Sequence, residues 1–267
     1  MTVMQAIVLG VLQGLAEFLP ISSSAHLALT PWMLGWQSPG LAFDVALHVG
    51  TLAAVLWFFR AQWGVLTRAA WQMLITRRIE TDEQRRVLFL LIATIPGGIG
   101  GLVLADYAET IFRTPALIAT TLIVMGIILW GVDRFSPQTR MLPEMRWTHA
   151  LAFGVAQVLA LVPGVSRSGS TLTAGRAMGF RRDSAAVFAF LMSMPITAAA
   201  AVYEVPKAIA QGGHGAPIIA GIIASAVSGW LAISVLLRYV TRHGFAVFAI
   251  YRIVLGLGVL ALVAARS

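Results

Sequence analysis

The sequence predicts an all-α, polytopic membrane protein built from two inverted-topology repeats. Three observations lead to this fold class: the hydropathy of the chain, the length of its apolar runs and an internal repeat. The 267 residues are 58% hydrophobic and only 11% charged, with a mean hydropathy of +0.84. Soluble chains carry about 25% charged residues. A soluble fold could not bury this much apolar surface, so an integral membrane protein is the favoured class.

The apolar runs are long and continuous, which favours transmembrane helices over the alternating strands of a barrel. A spanning helix needs about 20 mostly apolar residues. Six segments approach or meet that length and are predicted spans: residues 43–59, 87–104, 116–132, 185–203, 218–240 and 246–264. Pro96 and Pro195 lie inside two of these spans and are expected to kink or break them.

Two further apolar stretches, residues 4–35 and 147–180, are each interrupted by a polar break. The first break follows Pro20 and the second follows Pro163. Because each half is too short to span, both stretches are predicted to be re-entrant helix–loop–helix elements. Non-helical backbone at membrane depth is tolerated only where protein buries it or where it lines a cavity. The two breaks are therefore candidate functional sites.

The chain repeats itself at a fixed offset. Gly10-Val11-Leu12-Gln13 aligns with Gly154-Val155-Ala156-Gln157, and Ile21-Ser22-Ser23-Ser24 aligns with Val165-Ser166-Arg167-Ser168. We predict two copies within one membrane domain, residues 1–137 and 147–267, each with a re-entrant element and three spans. The alternative is chance similarity between Gly- and Leu-rich helices. Because three spans is an odd number, the copies would have opposite orientations, and such repeats place a site at their interface near the membrane midplane.

The distribution of basic residues supports this topology. The net charge of +8 does not indicate nucleic-acid binding, because the basic residues lie in short loops, as in cytoplasmic loops of membrane proteins. These residues fall on one predicted side: Arg68, Arg77, Arg78, Arg85, Arg86, Arg134, Arg140, Arg146, Arg176, Arg181, Arg182, Arg238 and Arg242. The opposite loops carry only Arg113 and Lys207 as basic residues. Both termini are therefore expected outside the cytoplasm.

The first break contains residues suited to acid–base or metal chemistry. Gln13 and Glu17 are four residues apart, so a helix places them on one face. Ser23 and His26 follow, at a spacing that allows the imidazole to approach the hydroxyl, which makes Ser23 a candidate nucleophile. In the alternative interpretation, Ser22 simply caps the next helix and His26 is a packed histidine.

The second break is typical of an anion site. Arg167 supplies a planar, permanently charged fork that fits phosphate oxygens. Ser166, Ser168, Ser170 and Thr171 add hydroxyl donors. A helix that restarts near Ser168 would point its N-terminal amides at the same place. The alternative is an arginine that extends to the membrane surface, although that role does not require the surrounding Gly and Ser residues.

Together the two breaks provide what phosphoryl transfer requires. If the repeats pair face to face, Arg167 meets Glu17, Ser23 and His26, so that opposite charges neutralise each other. The set then contains an oxygen nucleophile, a base, a cation for the non-bridging oxygens and a carboxylate able to hold a divalent ion. Two other classes stay open: a transporter or flippase of a lipid phosphate that uses the same pocket, and a purely structural membrane protein, which leaves both motifs unexplained.

These motifs resemble those of the undecaprenyl-pyrophosphate phosphatases of the bacitracin-resistance type, over essentially the whole chain. Gln13-x-x-x-Glu17 resembles the family's Glu/Gln-x-x-x-Glu motif. Residues Leu19 to His26 resemble its Leu-Pro-Val-Ser-Ser-Thr-Gly-His motif, and Pro163 to Thr171 its Pro-Gly-x-Ser-Arg-Ser-x-x-Thr motif. Gln13 stands where Glu is frequent, which weakens metal binding at that position.

The resemblance implies hydrolysis of undecaprenyl pyrophosphate, recycling of the lipid carrier for peptidoglycan synthesis, and bacitracin resistance. It implies catalytic roles for Glu17, Ser23, His26 and Arg167. We expect Ser23 to be the nucleophile, with His26 or Glu17 as its base; His26 as the nucleophile is the main rival assignment. The predicted pyrophosphate ligands are Arg167, Ser166, Ser168, Thr171 and Ser22.

The remaining expectations concern the cation, the partners and the location. Glu17 and Gln13 are expected to help hold a divalent cation, Mg or Ca. The expected partners are the polyprenyl pyrophosphate substrate and membrane lipids, without nucleic acid, and the sequence leaves a homodimer open. The expected location is the bacterial inner membrane, with the site open to the periplasmic face. The absence of cysteine rules out disulfides and thiolate metal sites.

Overall fold

A computed structural model describes residues 1–109, 111–210 and 215–266; the side chains at 41, 105–109, 111 and 204–210 lie outside its description. The side chain of Lys207, one of the loop charges considered above, is among these. Within the described ranges the chain forms eleven α-helices: α1 Val3–Phe18, α2 Ser23–Leu34, α3 Leu41–Phe58, α4 Arg60–Thr76, α5 Asp82–Glu109, α6 Pro115–Phe135, α7 Trp147–Leu159, α8 Arg167–Ala177, α9 Arg182–Ala210, α10 Gly215–Val240 and α11 Ala246–Arg266. Two short 3₁₀ turns, Ile111–Arg113 and Leu142–Glu144, lie between helices.

Five of the helices in the described part of the chain are long and apolar enough to cross a membrane: α5, α6, α9, α10 and α11. Helices α3 and α4 pass the same test only as a pair and meet at an angle of 83°, a geometry that fits either a sixth, broken span or a re-entrant loop. This confirms an all-helical protein that spans the membrane several times. Pro96 and Pro195 do not break their helices, since α5 and α9 each continue through the proline.

Both predicted polar breaks are present and have the same local geometry. Ser22 and Ser166 adopt positive φ angles of 75° and 73°, which non-glycine residues rarely adopt. Each hydroxyl accepts a hydrogen bond from the backbone N–H three residues later and so caps the helix that follows, α2 or α8. The capping interpretation of Ser22 is therefore correct, and the chain reverses sharply at equivalent points of the two elements.

The helices pack as two interlocked copies of one unit would. Helix α1 packs on α10 as α7 packs on α5, while α3 meets α9 and α6 meets α11. Gly10 and Gly154, at equivalent positions of the repeated motif, allow these close approaches. A Cβ at Gly10 would collide with the carbonyl of Gly221 on α10, and one at Gly154 with that of Ala93 on α5. These contacts support the repeat; the opposite orientation of its copies stays a prediction.

A cluster of buried aromatic rings fixes the end of α1 against α9. The rings of Phe18 and Phe190 meet edge to face, with centroids 5.4 Å apart, and Phe59 packs on the same Phe190 ring. All three side chains are essentially inaccessible to solvent. Because Glu17 precedes Phe18, this packing holds the carboxylate in the protein interior.

Candidate functional site

The two breaks contact each other in the interior of the protein. The backbone N–H of Gly164 donates to Ser22 Oγ across 3.2 Å. Arg252, fully buried on α11, donates to the carbonyl of Pro20 in the first break and to those of Gly164 and Val165 in the second, at 2.7–3.2 Å. A buried guanidinium is costly unless its donors are bonded. Here it ties both loops together and thereby fixes the starts of α2 and α8.

An ion pair between Glu17 and Arg167 joins the two broken elements at this junction. The Glu17 side chain is 5% exposed and that of Arg167 is 22% exposed. Arg167 Nη1 also donates to Thr197 Oγ1 on α9 across 2.7 Å. Since a guanidinium carries five N–H donors, it retains donors for a bound anion. The predicted neutralisation of the carboxylate by Arg167 is observed.

The second oxygen of Glu17 is the centre of a polar cluster. Glu17 Oε2 accepts hydrogen bonds from Gln13 Nε2 at 3.1 Å and from Ser23 Oγ at 2.5 Å, and His48 Nε2 lies 3.5 Å away. Ser23 begins α2 and Arg167 begins α8, so the first residues of both helices reach the same carboxylate. A hydroxyl that donates to a carboxylate is arranged for removal of its proton as it attacks an electrophile.

His26 lies beside this cluster but is bonded elsewhere. Its Nδ1 donates to the Ser22 carbonyl at 2.7 Å, which leaves Nε2 to accept from the Tyr251 hydroxyl at 2.6 Å. The ring stacks on that of Tyr251 and is 6% exposed. The spacing argument expected the imidazole to approach Ser23; the structure instead directs it toward α11, because the Ser22 carbonyl and the Tyr251 hydroxyl bind its two ring nitrogens. A catalytic role for His26 stays a prediction.

The predicted pyrophosphate ligands divide into two groups. Arg167 and Ser166 line the cavity described below. The hydroxyl of Ser168 donates to the Leu19 carbonyl across 3.0 Å, and that of Thr171 donates to the Arg167 carbonyl across 2.7 Å. These two side chains, like Ser22, are almost completely buried and stabilise the two breaks. Their role as direct ligands stays a prediction.

A cavity of about 240 Å³ opens onto the cluster. At one end it is lined by Glu17, Ser23, His48, Ser166 and Arg167. Apart from Gln157 of α7, its other walls are largely apolar and come from α3, α9 and the turn after α7: Val45, Leu161, Ile196, Ala200 and Ala201. A pocket with one charged end and apolar walls suits an amphiphile with an anionic head.

The residues present could hold a hard divalent cation only if a bound phosphate group supplied further oxygen atoms. No group of three or more His, Cys, Asp or Glu side chains suited to a metal occurs among the described residues. However, Oε1 of Gln13 and of Gln157 are buried without a hydrogen-bond partner. Gln13 Nε2 donates to Glu17 Oε2, and Gln157 Nε2 donates to the Ala93 carbonyl. These hydrogen bonds fix which end of each amide is the oxygen. Amide and carboxylate oxygens suit Mg²⁺ and Ca²⁺, and phosphate oxygens would complete the coordination.

Sequence reasoning missed four residues of this region: His48, Gln157, Thr197 and Arg252. His48 and Arg252 each carried a detectable signal, because an ionisable side chain inside an apolar span is costly and needs a partner. Gln157 stood in the repeated motif opposite Gln13. Nothing local distinguishes Thr197 from other threonines in spans.

The family model "Bacitracin resistance protein BacA" matches residues 6–258. Curated relatives with the name undecaprenyl-diphosphatase include a protein of Gemmatimonas aurantiaca, 61% identical over the full length of both chains. A second, from Pelotomaculum thermopropionicum, is 49% identical over all of this chain and 99% of its own. A third, from Aliivibrio salmonicida, is 43% identical over 98% of both chains.

Proposed function

The chain belongs to the bacitracin resistance protein BacA family, and on that premise we propose that it hydrolyses undecaprenyl pyrophosphate to undecaprenyl phosphate and inorganic phosphate. Relatives covering its whole length carry the name undecaprenyl-diphosphatase. The reaction would return the lipid carrier to peptidoglycan synthesis. It would also give bacitracin resistance, because the antibiotic sequesters the pyrophosphate form. The name of these relatives favours a phosphatase over a lipid-phosphate transporter.

One observation supports this chemistry most directly: Ser23 donates to Glu17, and the same carboxylate pairs with Arg167 in one cavity. We propose that Ser23 Oγ attacks the terminal phosphorus while Glu17 accepts its proton. Arg167 and the N-terminus of α8 would stabilise the charge on the non-bridging oxygens. Ser166, which lines the cavity, donates to Ser168 Oγ in the structure and would turn its hydroxyl toward the same oxygens when the pyrophosphate binds.

The apolar walls of the cavity support a prenyl substrate. Apolar side chains of α3, α9 and the turn after α7 continue from the charged end, so a pyrophosphate at Arg167 would place its first isoprenoid units among them. A cavity of this volume accommodates the head of the lipid, and the long tail would then extend into the bilayer. Long and short prenyl pyrophosphates should therefore differ more in apparent affinity than in turnover.

We further propose that a divalent cation, Mg or Ca, binds jointly with the pyrophosphate near Glu17 and Gln13. The orphan carbonyl oxygen of Gln13 supports this assignment. A bound cation would supply Lewis-acid stabilisation of the phosphoryl oxygens. Isothermal titration of the purified protein with Mg²⁺ and a non-hydrolysable analogue would separate binding from turnover.

The proposed location is the bacterial inner membrane, with the site open to the periplasmic face. The basic loops support this orientation. Because the chain has no cysteine, Ser38→Cys and Arg78→Cys would each create a single thiol on an exposed residue. A membrane-impermeant maleimide applied to intact cells should label the first variant and not the second; the reverse pattern would invert the topology.

The decisive test is phosphate release by the purified full-length protein in detergent, from undecaprenyl pyrophosphate, with and without chelator. We expect the wild type to release phosphate and a catalytically inactive variant, purified in parallel, to release none. If the protein bound the lipid but released no phosphate, the hydrolase proposal would fail. Movement of labelled lipid across proteoliposomes without hydrolysis would instead identify a transporter.

A further inference from the structure

We propose that an open cavity at the end of α10 binds the phosphate group of an anionic phospholipid. The cavity measures about 690 Å³. Its basic lining comes from Arg238, Arg242 and His243, and its apolar lining includes Leu237 and Phe58 at the end of α3. None of these residues lines the first cavity, the one that opens onto Glu17. Such a lipid site is separate from the proposed hydrolysis.

The two arginines of this cavity form no ion pair within the described part of the chain. Arg113, Arg176 and Arg182 each pair with an aspartate. Neither Arg238 nor Arg242 pairs with any described carboxylate. The described residues that line the cavity include no acidic side chain. Two planar guanidinium groups therefore keep donors for the oxygens of one phosphate group.

The loop that follows α10 is held in a fixed shape. The backbone N–H groups of Arg242 and His243 donate to the Tyr239 carbonyl at 3.1 and 2.9 Å, and the His243 ring stacks on the Tyr239 ring. The Thr241 hydroxyl donates to the Arg238 carbonyl at 2.7 Å. These bonds satisfy two of the terminal carbonyls of α10, which would otherwise repel an anion more strongly. An anion at this helix end therefore meets mainly cationic side chains.

The cavity lies nearer a membrane surface than the first cavity does. Ser225 of α10 donates to the Leu47 carbonyl at 2.8 Å, beside His48, which lines the first cavity. Arg238 is thirteen residues further along α10, which is about 20 Å at 1.5 Å per residue. Arg238 and Arg242 also belong to the basic loops that are predicted to be cytoplasmic. This position matches the level of the lipid head groups in that leaflet.

The apolar part of the cavity favours a lipid over a soluble anion. The rings of Phe58 and Tyr239 and the side chain of Leu237 form part of its lining. Next to Phe58, the Trp57 ring is 65% exposed, and the Arg60 guanidinium lies 5.1 Å from its centroid. Aromatic rings and arginines in this combination are typical of the interface between head groups and acyl chains. Basic pockets between helices on the cytoplasmic side bind anionic head groups.

Native mass spectrometry of the purified, delipidated full-length protein, titrated with phosphatidylglycerol, tests this site. Arg238→Gln/Arg242→Gln removes both guanidinium groups. The matched control is Arg68→Gln/Arg146→Gln, which removes the same charge from two exposed residues of the same predicted side, outside the cavity. We expect the first pair to weaken binding of the first lipid about 10- to 30-fold and the control pair less than about threefold. Phosphatidylcholine of the same chain length should bind the wild type about tenfold more weakly.

Inorganic phosphate distinguishes the two sources of the anion. It should displace phosphatidylglycerol only at concentrations far above that of the lipid. If it binds as tightly as the lipid, the cavity takes a soluble anion and the lipid assignment is wrong. Equal affinity for phosphatidylglycerol and phosphatidylcholine, or an equal loss in the two variant pairs, would indicate general attraction to the protein surface and overturn the site.

A single substitution keeps the test decisive if the double variant does not fold. Arg242→Gln changes an exposed loop residue and should weaken phosphatidylglycerol binding about fivefold. Unchanged binding in a folded glutamine variant overturns the site. Phosphate release from undecaprenyl pyrophosphate, measured in parallel, should be the same in both variant pairs as in the wild type. A wild type that releases none contradicts the proposed function, whereas lipid binding alone decides on this cavity.

Discussion

The two broken elements, α1–α2 and α7–α8, share a scaffold but differ in chemistry. Both turn at a serine with a positive φ that caps the next helix, and both approach a partner helix through a glycine. At the next position the first element carries Ser23 and the second carries Arg167. The two elements therefore share a turn that opens a helix toward the interior, and they supply opposite halves of one charged site.

This division of charge has an energetic reason. Glu17 alone, or Arg167 alone, would be a costly uncompensated charge in an apolar interior. Placing one in each copy makes the interlocked arrangement the state in which both are neutralised. Assembly of the two halves and formation of the site are then the same event.

Ser23→Ala is expected to have the largest effect, because the proposed nucleophile is present in the first element and the second element carries Arg167 at that position. Phosphate release should fall about 10⁴-fold or more, while a non-hydrolysable prenyl diphosphonate should bind within a few-fold of wild type. Ser24→Ala is the matched control, since Ser24 lines the same cavity, and it should stay within about tenfold. Substantial catalysis by Ser23→Ala would transfer the nucleophile role to His26 or to water.

Arg167→Ala should come next, because it removes the contribution of the second element. We expect turnover to fall about 10³-fold through lost charge stabilisation. The unpaired Glu17 carboxylate should lower the free energy of unfolding, but Gln13, Ser23 and His48 still surround it, so we expect the variant to fold. Arg266→Ala, which removes surface contacts to the Trp32 ring and to the Trp32 and Met33 carbonyls, is the control. Near-normal turnover would refute the anion site; melting curves would report on folding.

Gly10→Ala and Gly154→Ala test whether the two broken elements pack on their partner helices in the same way. Each added methyl would meet a partner-helix carbonyl, so each should lower the free energy of unfolding by about 1–3 kcal/mol. Gly258→Ala, where the structure leaves open space, should be neutral. Thermal unfolding in detergent measures all three. Destabilisation by only one of the two variants would show that the interfaces are not equivalent.

Gln13→Glu should have the smallest effect and bears on the proposed cation. At saturating Mg²⁺ we expect activity within about threefold of wild type, but a steeper loss on chelation, because a second carboxylate beside Glu17 needs a cation to offset it. Gln72→Glu, on the exposed face of α4, controls for added charge. Complete inactivation at every Mg²⁺ concentration would show that this position has another function.

Much of the fold could be predicted because its determinants are local. The sequence predicts that the stretch 147–180 is broken after Pro163, and α7 ends shortly before it, at Leu159. A helix was expected to restart near Ser168, and α8 begins at Arg167. Hydropathy and serine capping depend on residues close together in the chain, so the sequence alone shows where they act. The effect of Pro96 could not be predicted from the sequence, because whether a helix bends or breaks at a proline depends on what packs around it.

The sequence by itself determined the membrane class, the two breaks and the residue types that a phosphate chemistry requires, since these follow from composition and short-range spacing. Tertiary structure decided which of those residues meet. It directed His26 toward Tyr251, brought His48 from another helix to Glu17, and placed the buried guanidinium of Arg252 between both loops. The physical reason is that a buried polar group takes the partner that packing offers, and that partner here lies up to 232 positions away in the chain.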